Sequence, residues 1–139
     1  MPDNVGTETD RWLRYARWDL DTAERNAADD SMPPSNVCYT SQQAAEKVLK
    51  AALIFLEIEP PRVHNLDTLR NLLPDDWQTR GVPLSLSNLT VWAVEARYPS
   101  DSPDPTIDDA QTAVMHARQV FNLVMMDLVE HGYDLTEAG

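Results

Sequence analysis

A single cysteine, Cys38, stands in a chain of 139 residues, so no internal disulfide can form and nothing in the composition asks for an oxidising compartment. Four glycines are too few for a glycine-rich phosphate loop, and the ten prolines fall mostly into a few short stretches. That pattern excludes a low-complexity or disordered chain. Only two lysines occur, Lys47 and Lys50, and 11 basic residues face 23 acidic ones for a formal net charge of −12. A field of that sign opposes non-specific attachment to a polyanion, which depends on Lys and Arg displacing counterions. No apolar run approaches the length that spans a bilayer, and no basic-plus-apolar leader opens the chain, so the expectation is a cytoplasmic protein. His64, His116 and His131 lie far apart, and no His-x-x-x-His or Cys-x-x-Cys pairing exists, so no metal site or cofactor is expected.

What is present is helical periodicity. One domain fits the length, 1–139, with its core over about 9–131. Thr7 or Thr9 can cap a first helix that runs to about Ala28, with Trp12, Leu13, Ala16, Leu20, Ala23 and Ala27 on one face. Pro33 and Pro34 end it. Ser35 opens a second helix running to about Glu59, before Pro60 and Pro61. The stretch "HNLDTLRNLL" gives a short third helix with Leu66, Leu69, Leu72 and Leu73 as its apolar edge, broken by Pro74 and "DDWQTRG". A fourth covers roughly 84–96. Thr106 caps the fifth, Asp108 and Asp109 complement its dipole, and Gly132 stops it. No segment alternates with period two. The expected fold is an all-α, up-and-down bundle of about five helices.

The second helix holds the most informative residues. At 100° per residue, Gln43, Glu46, Lys47 and Lys50 share one narrow stripe on an otherwise apolar helix. Glu46 and Lys50 stand in the order that favours an intrahelical ion pair. Asp19, at the edge of the first helix's apolar face, can meet Lys47 or Lys50 across the bundle and turn the stripe into a buried seam that fixes register. On the first helix Arg11, Arg14, Arg17 and Arg25 share an arc with Trp18, an arrangement able to stack and pair with a nucleotide or single strand. On so acidic a chain a solvated face, crossed by pairs to Asp21 and Glu24, is the favoured account. Cys38 reads as a small core residue.

Trp12-Leu13-x-x-Ala16-x-x-Asp19-Leu20, Gln43-x-x-Glu46-Lys47-x-x-Lys50, His64-Asn65-Leu66 and Arg97-Tyr98-Pro99 occur in that order, ahead of an Ala-rich last helix with Ala110, Ala113 and Ala117. This pattern, over roughly residues 11–130, resembles the HEPN domain (higher eukaryotes and prokaryotes nucleotide-binding domain). The resemblance implies a five-helix bundle that commonly dimerises. It also implies a prokaryotic stand-alone protein, often encoded beside a minimal nucleotidyltransferase as a toxin–antitoxin-like pair. The ribonuclease branch of that family carries an Arg followed four to six residues later by His. No Arg of this chain is followed by His at that distance.

The expected function is therefore non-catalytic, with no catalytic residue assigned: binding of a nucleotide-like ligand, a minimal nucleotidyltransferase partner, or both. The alternatives are a metal-independent endoribonuclease toxin and a purely structural dimer. Ligand-binding positions would be Lys47, Lys50, Arg97 and Tyr98, since Arg offers phosphate a planar fork and Tyr a stacking face. Trp12, Asp19, Gln43, Glu46, His64 and Pro99 complete the motif or serve the seam. A homodimer is expected because the second helix is apolar on two sides, Ala44, Val48, Ala51 and Phe55 against Cys38, Ala45, Leu49, Ala52 and Leu56, and one side could stay open. Met115, Met125 and Met126 on the last helix add adaptable contact side chains.

Overall fold

The computed structural model describes residues 2–90 and 104–134. Helix α1 spans Pro2–Ala27, α2 Pro34–Phe55, α3 Leu66–Arg70, α4 Gln78–Gly81 and α5 Ile107–Glu130. A further helical turn covers 87–90, and no strand occurs among the described residues. The fold is the all-α bundle expected from the periodicity. None of the helices among the described residues is long and apolar enough to cross a membrane.

Helix α2 is the axis of the bundle, packed by α1 and by α5. Twelve of its residues are buried, among them Cys38, Ala45, Leu49 and Ala52 as well as Ala44, Val48 and Ala51. Both apolar sides of α2 are thus covered within one chain, and only its end, at Phe55 and Leu56, is half-buried. The small residues Ala44, Ala45, Ala51 and Ala52, all at 0–1% exposure, let the neighbouring helices approach closely. The open side on which a dimer was expected to close is not on this helix.

Helix α1 begins earlier than its threonines suggested. Pro2 stands in its first position, where a fixed φ and a missing N–H suit a helix start. Thr9 is a buried residue of the helix interior rather than its cap. Helix α2 stops sooner than expected, four residues short of Glu59. Glu57 adopts a left-handed φ of 60°, its N–H donates to Ile54 O, and Ile58 N–H donates to Leu53 O. This is a Schellman close, with Ile58 packed under the helix end and a glutamate where glycine is the usual occupant. Helix α5 closes in the same way with glycine in that position: Gly132 has φ 100°, and Tyr133 N–H donates to Leu128 O. Glu57→Gly should therefore raise stability by about 0.5–1 kcal/mol, a gain of roughly 3 °C in Tm, by removing the left-handed strain. A thermal melt with Tm unchanged or lowered would mean that the glutamate side chain compensates for its backbone.

The loops between α2 and α5 are pinned by polar contacts. Asn65 caps α3 by accepting from Thr68 N–H, while Leu66, Leu69 and Leu73 are buried. Leu72, expected on the same apolar edge, is 41% exposed, because α3 ends at Arg70 and the chain turns before Leu72 can face inward. The stretch "DDWQTRG" is more than a breaker: Trp77 is buried and α4 follows it directly. Of the expected helix over 84–96, the turn at 87–90 is present with Leu86 and Leu89 buried, and the rest lies outside the described residues. At α5 the capping box is complete, Asp109 N–H donating to Thr106 Oγ1 and Thr106 N–H to Asp109 Oδ2.

Candidate functional site

The polar stripe of α2 is a connected network centred on Glu46, whose side chain is only 8% exposed. Its Oε1 accepts from Gln42 Nε2 at 2.9 Å and pairs with His64 Nδ1 at 2.9 Å. Its Oε2 accepts from Lys50 Nζ at 3.0 Å. Gln42, fully buried, also donates to His64 O and accepts from Gln43 Nε2 at 2.7 Å. With Glu46 ionised, His64 Nδ1 carries the proton it shares, and the half-exposed ring is held against α2 at the entry to α3. One turn away, Lys47 Nζ donates to Asp19 Oδ2 at 2.5 Å, joining α2 to α1. Lys50 also lies 6.0 Å from the centroid of the Trp12 ring.

Trp12, Asp19, Gln43, Glu46, Lys47, Lys50 and His64, separate in sequence, thus share one seam. Arg97, Tyr98 and Pro99 lie outside the described residues. Gln42 proves as central as its neighbours; a fully polar amide at a position between apolar turns was the signal for it. Both lysines are already engaged by carboxylates, so the seam spends its cations on the fold itself.

Electrostatics at Glu46 are a contest. Burial pushes its carboxyl up, but hydrogen bonds from Gln42, His64 and Lys50, with the Lys50 charge, prevail and hold it below the usual glutamate value. A depressed folded value contributes stability that is fully present above the unfolded pKa of about 4.3 and is lost as pH falls through the lower folded value. Urea unfolding between pH 7 and pH 3 should therefore show a loss on acidification that is shallower in Glu46→Gln. The same slope in both proteins would mean that other carboxylates carry the acid sensitivity.

A second buried carboxylate escaped the sequence reading. Asp127 of α5, at 0% exposure, accepts from Gln78 N–H at 2.9 Å, Thr79 N–H at 2.8 Å and Thr79 Oγ1 at 2.6 Å. It caps α4 from another helix. Its signal was an acid three residues after Val124 and seven after Val120, on the buried stripe of α5. Next to it His131 stacks on Trp77 with ring centroids 5.0 Å apart and meets Asp127 O through Nδ1 at 2.8 Å. Cys38 is the core residue expected: burial pushes its thiol up to about 12, with Asp109 adding to the effect, so a reactive thiolate is withheld. Among the described residues no group of three His, Cys, Asp or Glu side chains could hold a metal ion.

The arginine arc of α1 is dispersed over ring faces. Arg11 lies over Tyr15, Arg14 over Trp18, and Arg17 over Phe121 of α5. Glu24 pairs with Arg118 of α5 rather than within its own helix. Between α1 and α5 a cleft of about 410 Å³ opens beside Arg17, Arg118, Phe121 and Met125. Met115, Arg118, Asn122, Met126 and Val129 fall on one face of α5 by their spacing of three and four. Trp18, Met115, Met126 and Val129 are all exposed by about half. Met125, by contrast, packs partly into the core.

A central helix wrapped by two long ones, with a Gln-Glu-Lys seam locking a His-Asn-Leu turn, defines a HEPN-type bundle. The HEPN domain model matches residues 9–128, and the chain belongs to that family. The structure is similar to the crystal structure of TT1696 from Thermus thermophilus, with a TM-score of 0.72 and 25% sequence identity. That likeness covers 86% of this chain and 98% of TT1696. No curated protein matches the chain.

Proposed function

We propose that this HEPN protein is a non-catalytic binding module: a homodimer that engages a minimal nucleotidyltransferase in a two-component, toxin–antitoxin-like system. The observation that carries the reading is the α1–α5 face. Exposed Met115, Met126 and Val129 share one face of α5 with Arg118, which lines the α1–α5 cleft together with Arg17. Met and Arg are among the side chains enriched at protein interfaces, and half-exposed apolar residues aligned on one helix face favour a protein partner over solvent. The seam supports the same view, because Lys47 and Lys50 are paired with Asp19 and Glu46 and have little charge left for a phosphate. A nucleotide-like ligand, if bound, falls to Arg97 and Tyr98 more than to these lysines.

The endoribonuclease reading meets a chain in which no Arg precedes His at the ribonuclease spacing. Mixing the purified chain with a minimal nucleotidyltransferase, followed by gel filtration, tests the proposal. Co-elution of the two proteins at a mass above that of the homodimer is the expected result, and separate elution would contradict it. RNA cleavage by the chain alone, abolished by His64→Ala, would overturn it in favour of the nuclease.

A further inference from the structure

At the opposite end of the seam a groove of about 610 Å³ opens where α2 ends, within the size range of small-molecule sites. Trp12, Ile54 and Ile58, each half-buried, supply its apolar surface. Its rim is charged, and the charges are unequal. Lys50 reaches the groove but is taken by Glu46 at 3.0 Å. Arg62 is the remaining cation of the lining, against Glu8, Glu57 and Glu59. Glu8 leans towards Arg11 at 3.8 Å, whereas the side chains of Glu57 and Glu59 are exposed and make no hydrogen bond or ion pair among the described residues.

The backbone adds to the imbalance. The groove lies at the C-terminal end of a 22-residue helix that has no basic residue in its last turn, so no side chain of that turn offsets the negative end of the dipole. The whole chain, at −12, draws cations towards it. A nucleotide placed here would set its phosphates against two free carboxylates with one guanidinium to answer them. An anion is therefore the wrong occupant, and an ammonium or guanidinium group is the right one, provided it carries an apolar body to cover Trp12, Ile54 and Ile58. A ring face such as that of Trp12 itself attracts a cation.

We propose that the groove at the C-terminal end of α2, floored by Trp12, Ile54 and Ile58 and rimmed by Glu57 and Glu59, binds a small amphipathic organic cation, an aromatic or alkyl body bearing an ammonium or guanidinium group. The site is independent of the α1–α5 face. Glu57 takes on a meaning beyond helix closure, since glycine in its place would relieve strain and remove one of the two free carboxylates.

Titration calorimetry and amide-resolved NMR with phenethylamine, 3-phenylpropionate and ATP test the assignment. Phenethylamine should bind and shift the amides of residues 54–59 and the Trp12 indole, while the two anions leave them unmoved. Glu57→Gln with Glu59→Gln should weaken phenethylamine roughly fivefold, as expected when two partly screened ionic contacts are lost. Glu57→Gly should weaken it while raising Tm, separating loss of the carboxylate from loss of fold. Binding of 3-phenylpropionate or ATP that shifts the amides of residues 54–59 at an affinity equal to that of phenethylamine, phenethylamine shifts elsewhere in the chain, an unchanged affinity in the double variant, or no shifts at millimolar phenethylamine would each overturn it.

Discussion

Asp127→Ala is expected to cost about 3 kcal/mol of stability, a fall in Tm of roughly 10 °C for a chain of this size. The carboxylate is fully buried and accepts three hydrogen bonds, two from backbone N–H groups at the start of α4 and one from the Thr79 hydroxyl. Alanine removes every acceptor and leaves those donors without a partner, Thr79 among them at 1% exposure. Unsatisfied buried donors carry the full desolvation penalty, and hydrogen bonds to a charged group are the strong ones. Asp127→Asn keeps one carbonyl oxygen and turns an amide N–H₂ towards a donor, so its cost should fall between wild type and alanine. Urea unfolding monitored by far-UV circular dichroism measures both. A loss under about 1 kcal/mol for alanine would mean that water takes over as acceptor and that α4 is not held by this residue.

Glu46→Ala should cost a similar amount, about 3 kcal/mol, for a different reason. Its removal strands Lys50, whose side chain is 13% exposed, and deprives Gln42 and His64 of their shared acceptor. A buried charge that loses its partner is the costly outcome, more than the pair itself was worth. Replacing both, as Glu46→Leu with Lys50→Met, should recover much of the loss, because an apolar pair of similar volume needs no partner. The coupling between the two single changes should therefore be large and of the compensating sign. Additive losses would show that Lys50 is solvated through the groove rather than dependent on Glu46.

Much of this molecule was legible in its sequence because helix signals are local. Prolines 33, 34, 60 and 61 mark the ends of α1 and α2 to within a few residues, and Thr106 is the cap of α5 that the sequence points to. The Glu46–Lys50 pair followed from spacing alone, whereas the sequence left Asp19 open to Lys47 or Lys50 and the packing of α1 on α2 selects Lys47. What local signals could not give was tertiary. The start of α1 at Pro2 lies ahead of both candidate threonines, and the end of α2 was set by one residue, Glu57, whose left-handed backbone a glutamate does not advertise. Asp127 looked like any acid near the end of a helix until α4 was brought against it. A helix apolar on two sides can be central in its own chain, and here α1 and α5 cover both sides of α2. Exposed apolar side chains stand instead on α1 at Trp18 and on α5 at Met115, Met126 and Val129, while Met125 packs against the core.

Light scattering of the purified protein from dilute to concentrated solution, for wild type and Met126→Asp, tests most directly whether this chain works by protein association through the α1–α5 face. Wild type should show twice the 15.7 kDa chain mass, more firmly at higher salt as repulsion between chains of charge −12 is screened. Met126→Asp, which places a charge in line with Met115 and Val129 on the exposed face of α5, should be monomeric with its fold intact. A wild-type mass of 15.7 kDa at every concentration and salt, or a Met126→Asp dimer as firm as wild type, would contradict it.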